Sequence, residues 1–206
     1  MPNNIEDMKY EDGIFVENLY LPMSNEEKNK MFSLLDKQHI EIICRENKNT
    51  VNACLFDAVT VFFNEPLTKK ILADLLTMAA YDAIKFAISC FLNNLKHFTL
   101  LRHSDKYGLE KKSAQLNVRL KTGNCEMNAL IPNNLTHEQN LDYFDRVLKT
   151  LVELGKTAIP NTQTYEVYVI EGKDEDKPEL LKVKTIIQYG YEQRMKQQNK
   201  PDTQGE

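Results

Sequence analysis

The chain has 206 residues, of which 42% are hydrophobic and 27% are charged. This composition is typical of a folded globular domain and excludes a largely disordered chain. The length suits a single domain with a well-buried core. The formal net charge of −4 argues against a general nucleic-acid binder, because such proteins carry an excess of basic residues.

Cysteine spacing and the first residues bear on the cellular compartment. The four cysteines lie far apart with no Cys-x-x-Cys pair, and the chain begins with acidic and polar residues rather than with the basic start and apolar run of a secretory signal. We therefore predict a cytoplasmic protein. We divide the chain into an acidic polar N-terminal segment (1–20), a single α+β domain (21–189) and a mobile polar tail (190–206).

The first predicted elements are a helix and a strand. Ser24 and Glu27 form a capping box, which predicts a helix that begins at Asn25. Residues 39–45 are short, β-branched and roughly alternating, which favours a strand. The run 51–63 fits a strand or a helix, since periodicity alone does not decide short apolar runs.

The most apolar part of the sequence is 66–96, which we interpret as one long helix of about 45 Å. Its polar residues (Asp74, Asp82, Lys85, Ser89 and Asn93) fall within an arc of about 100°, so the rest of its circumference is apolar. The spacing of Asp82 and Lys85 predicts that they pair with each other.

Two hairpins and a helix are predicted after this segment. Residues 114–120 and 125–131 alternate on either side of a turn, which is a strong hairpin signal. Thr136 and Gln139 form a second capping box, and an amphipathic helix follows as far as Gly155. Residues 164–170 and 180–189 predict a second hairpin.

These elements together predict an α+β fold. We expect an antiparallel sheet of two hairpins plus a further strand, packed by the amphipathic helix and by the long, largely apolar helix. The long helix needs a cover, which its own domain, a partner chain or a membrane could supply. Asp82 and Lys85 each cost about 2.5 to 3.5 kcal/mol at the centre of a membrane span, so a core or interface helix is the stronger interpretation.

The predicted function is a non-enzymatic protein-interaction or regulatory module that acts through the apolar helix. Its partner is a second copy of the chain or a different protein, because the small sheet covers only one side of so apolar a helix. The predicted anchors are Leu72, Leu76, Phe86, Ile88 and Phe91. A membrane-active effector that inserts this helix is an alternative. No small-molecule ligand is implied.

A basic stretch lies between residues 96 and 121, which contain seven basic residues and two acidic ones. Most charge runs are solvated surfaces, and the alternative is a candidate anion-binding patch. The residues of that patch are Arg102, Lys106, Lys111, Lys112, Arg119 and Lys121. Nucleic-acid binding is disfavoured, because the exposed strand face lacks the aromatic residues on which bases stack.

Enzymatic patterns are weak throughout the sequence. No His and Cys residues lie at metal-ligand spacing, and no glycine-rich phosphate loop is present, so we predict no cofactor, no metal and no catalytic residue. The strand that ends in Glu171 and Lys173 resembles the Mg²⁺-dependent nucleases, whose motif is Pro-Asp followed by Asp/Glu-x-Lys. A nuclease is therefore a further alternative. The nearest upstream acids, Asp142 and Asp145, lie on a predicted helix, which favours a simple hairpin turn at Gly172.

Overall fold

A computed structural model describes residues 8–17, 23–45, 58–95, 99–104, 108–113, 115–131, 135–157, 165–174, 177–183 and 185–198. The strands are β1 Asp12–Glu17, β2 Ile40–Arg45, β3 Ala58–Phe63, β4 Thr99–Ser104, β5 Gly108–Ser113, β6 Gln115–Thr122, β7 Cys125–Ile131, β8 Glu166–Asp174 and β9 Lys177–Val183. The helices are α1 Asn25–Lys37, α2 Glu65–Leu72, α3 Met78–Leu95, α4 His137–Thr157 and α5 Ile186–Gln198.

Seven of these strands form one mixed sheet in the order β2-β1-β3-β6-β7-β8-β9, and β4 pairs with β5 in a separate two-stranded sheet. The pairs β1–β2, β3–β6 and β7–β8 are parallel. Each parallel pair is joined by a segment that contains helices, as parallel strands require. The α+β class is thus as predicted, whereas the prediction of an antiparallel sheet of two hairpins plus one strand is wrong.

Two strands that the sequence patterns did not reveal, together with the parallel pairing of β7 with β8, account for this difference. β1 lies inside the segment predicted to be polar and N-terminal, and β3 lies in the ambiguous run 51–63. Together with β2 they extend the sheet beyond the predicted hairpin of β6 and β7, which is present with Leu120 opposite Met127. The second predicted hairpin is also present as β8 and β9, but Tyr189 lies in α5 rather than in a strand, and this helix continues to residue 198.

The first face of the sheet carries the main hydrophobic core. One row of residues that lie opposite each other across neighbouring strands is Ile42, Ile14, Phe63, Leu120, Met127 and Tyr168. All six are buried and belong to one cluster with residues of α1, α2, α3 and α4. The four helices therefore pack against this face, and α4 is the amphipathic helix that its capping box predicts.

The second face of the sheet has a different character. The adjacent row across the same strands is Ile43, Phe15, Phe62, Arg119, Asn128 and Val169. Phe15, Ile43 and Val169 are buried but lie outside the main cluster. Polar residues occupy the middle of this face, on β6 and β7.

The single long helix predicted for 66–96 is wrong, because the structure has two helices there. α2 ends at Leu72 and α3 begins at Met78. Asp74 adopts the left-handed conformation, with φ of 57°, which no α-helix accommodates. The predicted pairing of Asp82 with Lys85 is also wrong: Lys85 pairs with Asp145 of α4 at 2.5 Å, and Asp82 is exposed.

Candidate interaction surface at the α2–α3 corner

The start of α2 is fixed to the sheet by Asn64. Its side-chain oxygen accepts hydrogen bonds from the Leu67 N–H at 3.2 Å and the Gly13 N–H at 3.0 Å, so it caps the helix and binds β1 at once. Its Nδ2 donates to the Glu11 carbonyl at 2.7 Å. In the last turn, Lys70 pairs with the mostly buried Asp12 at 2.6 Å. These contacts hold both ends of α2 against β1.

The turn after α2 is a Schellman motif with Asp74 in the position where glycine is usual. The Leu75 N–H donates to the Lys70 carbonyl at 2.8 Å, and the Asp74 N–H donates to the Ile71 carbonyl at 3.1 Å. Three residues later, the Thr77 hydroxyl accepts from the Ala80 N–H at 3.1 Å and caps α3. The turn is therefore a hydrogen-bonded structure with a defined shape.

This turn presents apolar side chains to solvent. Leu75 is 70% exposed and Met78 is 82% exposed. Next to them, a groove of about 390 Å³ lies between the turn and α4. Its apolar lining is Ile71, Leu76, Leu148 and Val152, and its exposed charged rim is Asp74, Lys149, Glu153 and Lys156. We call Leu75, Met78 and this groove the corner surface.

The α4 wall of the groove is held close to α2 and α3. A Cβ atom on Gly155 would lie 2.4 Å from the Leu72 carbonyl oxygen, so the two helices approach each other more closely than any other residue allows. Asp145 accepts a hydrogen bond from the Tyr81 hydroxyl at 2.6 Å and pairs with Lys85, which joins α4 to α3. The shape of the groove thus depends on contacts within the chain.

The structure separates the five predicted interface residues. Leu72, Ile88 and Phe91 are buried in the core of the single chain. Leu76 lines the groove of the corner surface. Phe86 is partly exposed at a different place, where the Lys30 ammonium lies 4.8 Å from its ring. Sequence patterns did not single out Leu75 and Met78, and the one local signal near them is Thr77, a residue type that caps helices and here caps α3.

The structure describes the side chains of only two of the six residues in the candidate anion-binding patch, Arg119 and Lys121. Arg119 pairs with Glu126 at 2.8 Å, and Lys121 is exposed near the ring of Tyr165. Arg102, Lys111 and Lys112 lie on the β4–β5 hairpin, and their side chains fall outside the described part, as does Lys106. The patch therefore stays a prediction.

A polar network surrounds Glu126 on the second face of the sheet. Its carboxylate accepts hydrogen bonds from Arg119 at 2.8 Å, Asn128 at 3.0 Å and Tyr165 at 2.7 Å, although Glu126 is only 4% exposed. Burial acts to raise the pKa of Glu126, but the hydrogen bonds outweigh it and leave that pKa below the usual value. The ionised carboxylate is thus matched by donors of its own chain.

The Glu171-x-Lys173 pattern suggested a metal site, and the apolar segment 66–96 suggested a membrane span. Neither is found among the residues that the structure describes. Glu171 accepts a hydrogen bond from the Tyr189 hydroxyl. Among the described residues, no group of three or more His, Cys, Asp or Glu side chains could hold a metal ion. Within the same ranges, no helix combines the length and the apolar character needed to cross a membrane.

Comparison with known proteins identifies no relative. The chain matches no protein-family model, and neither the curated proteins nor the solved structures contain a match.

Proposed function

We propose that this chain is a non-enzymatic protein-interaction module, and that it binds its partner through the corner surface. The observation that carries the proposal is the exposure of Leu75 and Met78 beside an apolar groove. Single exposed apolar residues are ordinary, but a contiguous apolar patch with a polar rim is typical of a binding surface. We also propose a cytoplasmic location, which the free, buried thiols of Cys90 and Cys125 support.

Burial of the exposed side chains at the corner surface would stabilise a complex. Complete burial of a Leu or Met side chain stabilises a complex by about 1.5 to 3 kcal/mol. Because the turn between α2 and α3 is already hydrogen-bonded, little conformational freedom is lost when a partner covers it. A rigid turn with two projecting apolar side chains is therefore well suited to act as an anchor.

The test is site-specific photo-cross-linking. A benzophenone amino acid replaces Leu75 in one variant and Met78 in another, and each variant is expressed in the cells from which the gene comes. We expect a protein adduct on illumination at both positions. Tyr191, which is 64% exposed on α5, is the matched control position and should give no such adduct.

The adducts are separated by gel electrophoresis and identified by mass spectrometry. If positions 75 and 78 give no adduct, or give no more than position 191, the corner surface is not a docking site and the proposal is wrong.

A further inference from the structure

We infer that the partner at the corner surface is a second copy of this chain, arranged about a two-fold axis. The inference rests on the proposed function, because it names the occupant of the same surface. In a two-fold interface each copy contributes the same patch, so the patch must be complementary to itself. Shape and charge at the corner surface both meet this requirement.

The turn and the groove adjoin each other and have complementary shapes. Leu75 projects into solvent, and its neighbours in sequence, Asp74 and Leu76, line the groove. A surface with a projection beside a cavity can meet its own copy, since each projection enters the cavity of the other chain. The cavity of about 390 Å³ has room for one Leu and one Met side chain, and Ile71, Leu76, Leu148 and Val152 give it an apolar lining.

Charged residues lie on both sides of the groove. The turn contributes the acidic Asp74, and the α4 side contributes Lys149 and Lys156, with Glu153 between them. Lys156 pairs with Glu153 at 3.5 Å, so the α4 side keeps one net positive charge, at Lys149. In a two-fold dimer, Asp74 of one copy can lie against Lys149 of the other. A strongly acidic or strongly basic partner would instead meet repulsion on one side of the groove, because both signs are present. The rim therefore favours a second copy.

The size of the surface sets the expected affinity. The interface would consist of one turn, one groove and part of α4 on each copy. Its size is therefore at the small end of the range for specific interfaces, where less than about 1,200 Å² of surface is buried in total. We therefore expect a reversible dimer with a dissociation constant in the micromolar range or weaker. A permanent dimer would need a larger contact.

The first experiment measures the mass of the purified full-length protein in solution by sedimentation equilibrium. Across about ten micromolar to about one millimolar, the wild type should shift from 23.9 kDa towards twice that mass. Leu75→Asp and Met78→Asp should each weaken the dimer at least tenfold. Tyr191→Asp and Met195→Asp, which place the same charge on the exposed side of α5, should leave the association constant unchanged.

A mixing experiment tests the two-fold arrangement itself. A two-fold dimer has two contacts, each between Leu75 of one copy and the groove of the other. Leu75→Asp removes the projecting side chain of a copy, and Val152→Glu blocks the groove of a copy. A heterodimer of the two variants keeps one intact contact, in which the unchanged Leu75 of one copy enters the unchanged groove of the other. We therefore expect the mixture to associate more strongly than either variant alone. Equal association in all three samples would overturn the two-fold arrangement.

The outcomes separate this inference from the proposed function. If the wild type stays at 23.9 kDa while the adducts at positions 75 and 78 contain a different protein, the second-copy inference is wrong and the proposed function stands. If the wild type stays monomeric and no adduct forms, both are wrong. Adducts between two copies, mapped to residues 148–156, would support both.

Discussion

The corner surface and the Glu126 network depart from the usual distribution of residues in opposite ways. At the corner, apolar side chains are exposed, and on the second face of the sheet, polar and charged side chains are buried. Each arrangement costs free energy in the isolated chain. Internal hydrogen bonds offset the second cost at the Glu126 carboxylate, whereas the first cost is offset only when another surface covers Leu75 and Met78.

This difference indicates what each region does. Arg119 and Glu126 link β6 to β7, and Tyr165 adds a hydrogen bond from the start of β8. A one-residue slip of either strand would turn these groups into the apolar core, so the network specifies the register of the sheet. At the corner, Leu75 and Met78 are mostly in solvent, so neither side chain specifies anything inside the fold. These two side chains are therefore available for a contact outside the chain.

The largest expected effect comes from removing one partner of the buried network. Arg119→Leu leaves the Glu126 carboxylate buried with only Asn128 and Tyr165 as donors. We expect a loss of about 3 kcal/mol in the free energy of unfolding, the lower end of the range for breaking a buried pair, because Arg119 is partly exposed. Urea denaturation measures this loss. A loss of this size would show that the network stabilises the fold.

The control for this experiment is the double variant Arg119→Leu with Glu126→Leu. Replacing both partners by apolar residues removes the uncompensated charge, so most of the lost stability should return. If Arg119→Leu alone changes the free energy of unfolding by less than about 0.5 kcal/mol, Glu126 is effectively solvated and the contrast between the two regions fails.

An intermediate effect is expected at Gly155, which lets α4 approach α2. Ala is the better helix former by about 1 kcal/mol, so Gly155→Ala would stabilise a free helix. Here the new Cβ would lie 2.4 Å from the Leu72 carbonyl oxygen and 2.8 Å from the Leu72 Cβ. Overpacking of this kind costs about 1 to 3 kcal/mol. After the gain of about 1 kcal/mol from helix propensity, we expect a net loss of stability of up to about 2 kcal/mol.

Thermal and urea denaturation of Gly155→Ala check this sign. The neighbouring exposed Lys156→Ala is the matched control and should change stability by no more than about 0.5 kcal/mol. Because the clash separates α4 from α2, Gly155→Ala should also weaken association through the groove. A stabilised variant with unchanged association would show that the two helices are not tightly packed there.

Local signals in the sequence predicted the local structure. The capping box of Ser24 and Glu27 is present, with α1 beginning at Asn25. Thr136 and Gln139 likewise form reciprocal hydrogen bonds at the start of α4. The hairpin of β6 and β7 follows from strict alternation around a turn at Gly123. In each case the residues that decide the structure lie within a few positions of each other, so one sequence is enough.

Pairing between distant segments and the break after α2 were not accessible in the same way. The parallel contacts join strands that are separated by helices, and no residue pattern states which strands become neighbours. Residues 72–78 contain neither Gly nor Pro, and Asp74 gives no strong signal of a left-handed conformation. The turn gives α3 a different axis and rotation from α2, so one continuous helical periodicity does not describe both. A single periodicity therefore predicted Leu72 as an interface residue and did not single out Leu75.

The smallest expected effect on stability is at the corner itself. Leu75→Asp and Met78→Asp replace side chains that are mostly in solvent, so each should change the free energy of unfolding of the monomer by no more than about 0.5 kcal/mol. Urea denaturation at low protein concentration, where the dimer is dissociated, measures this. Ile88→Asp is the contrasting variant on the same apolar segment and should prevent folding, because Ile88 is fully buried. A loss of more than about 2 kcal/mol at position 75 would assign that side chain to the core, and the surface would then lose the anchor on which association depends.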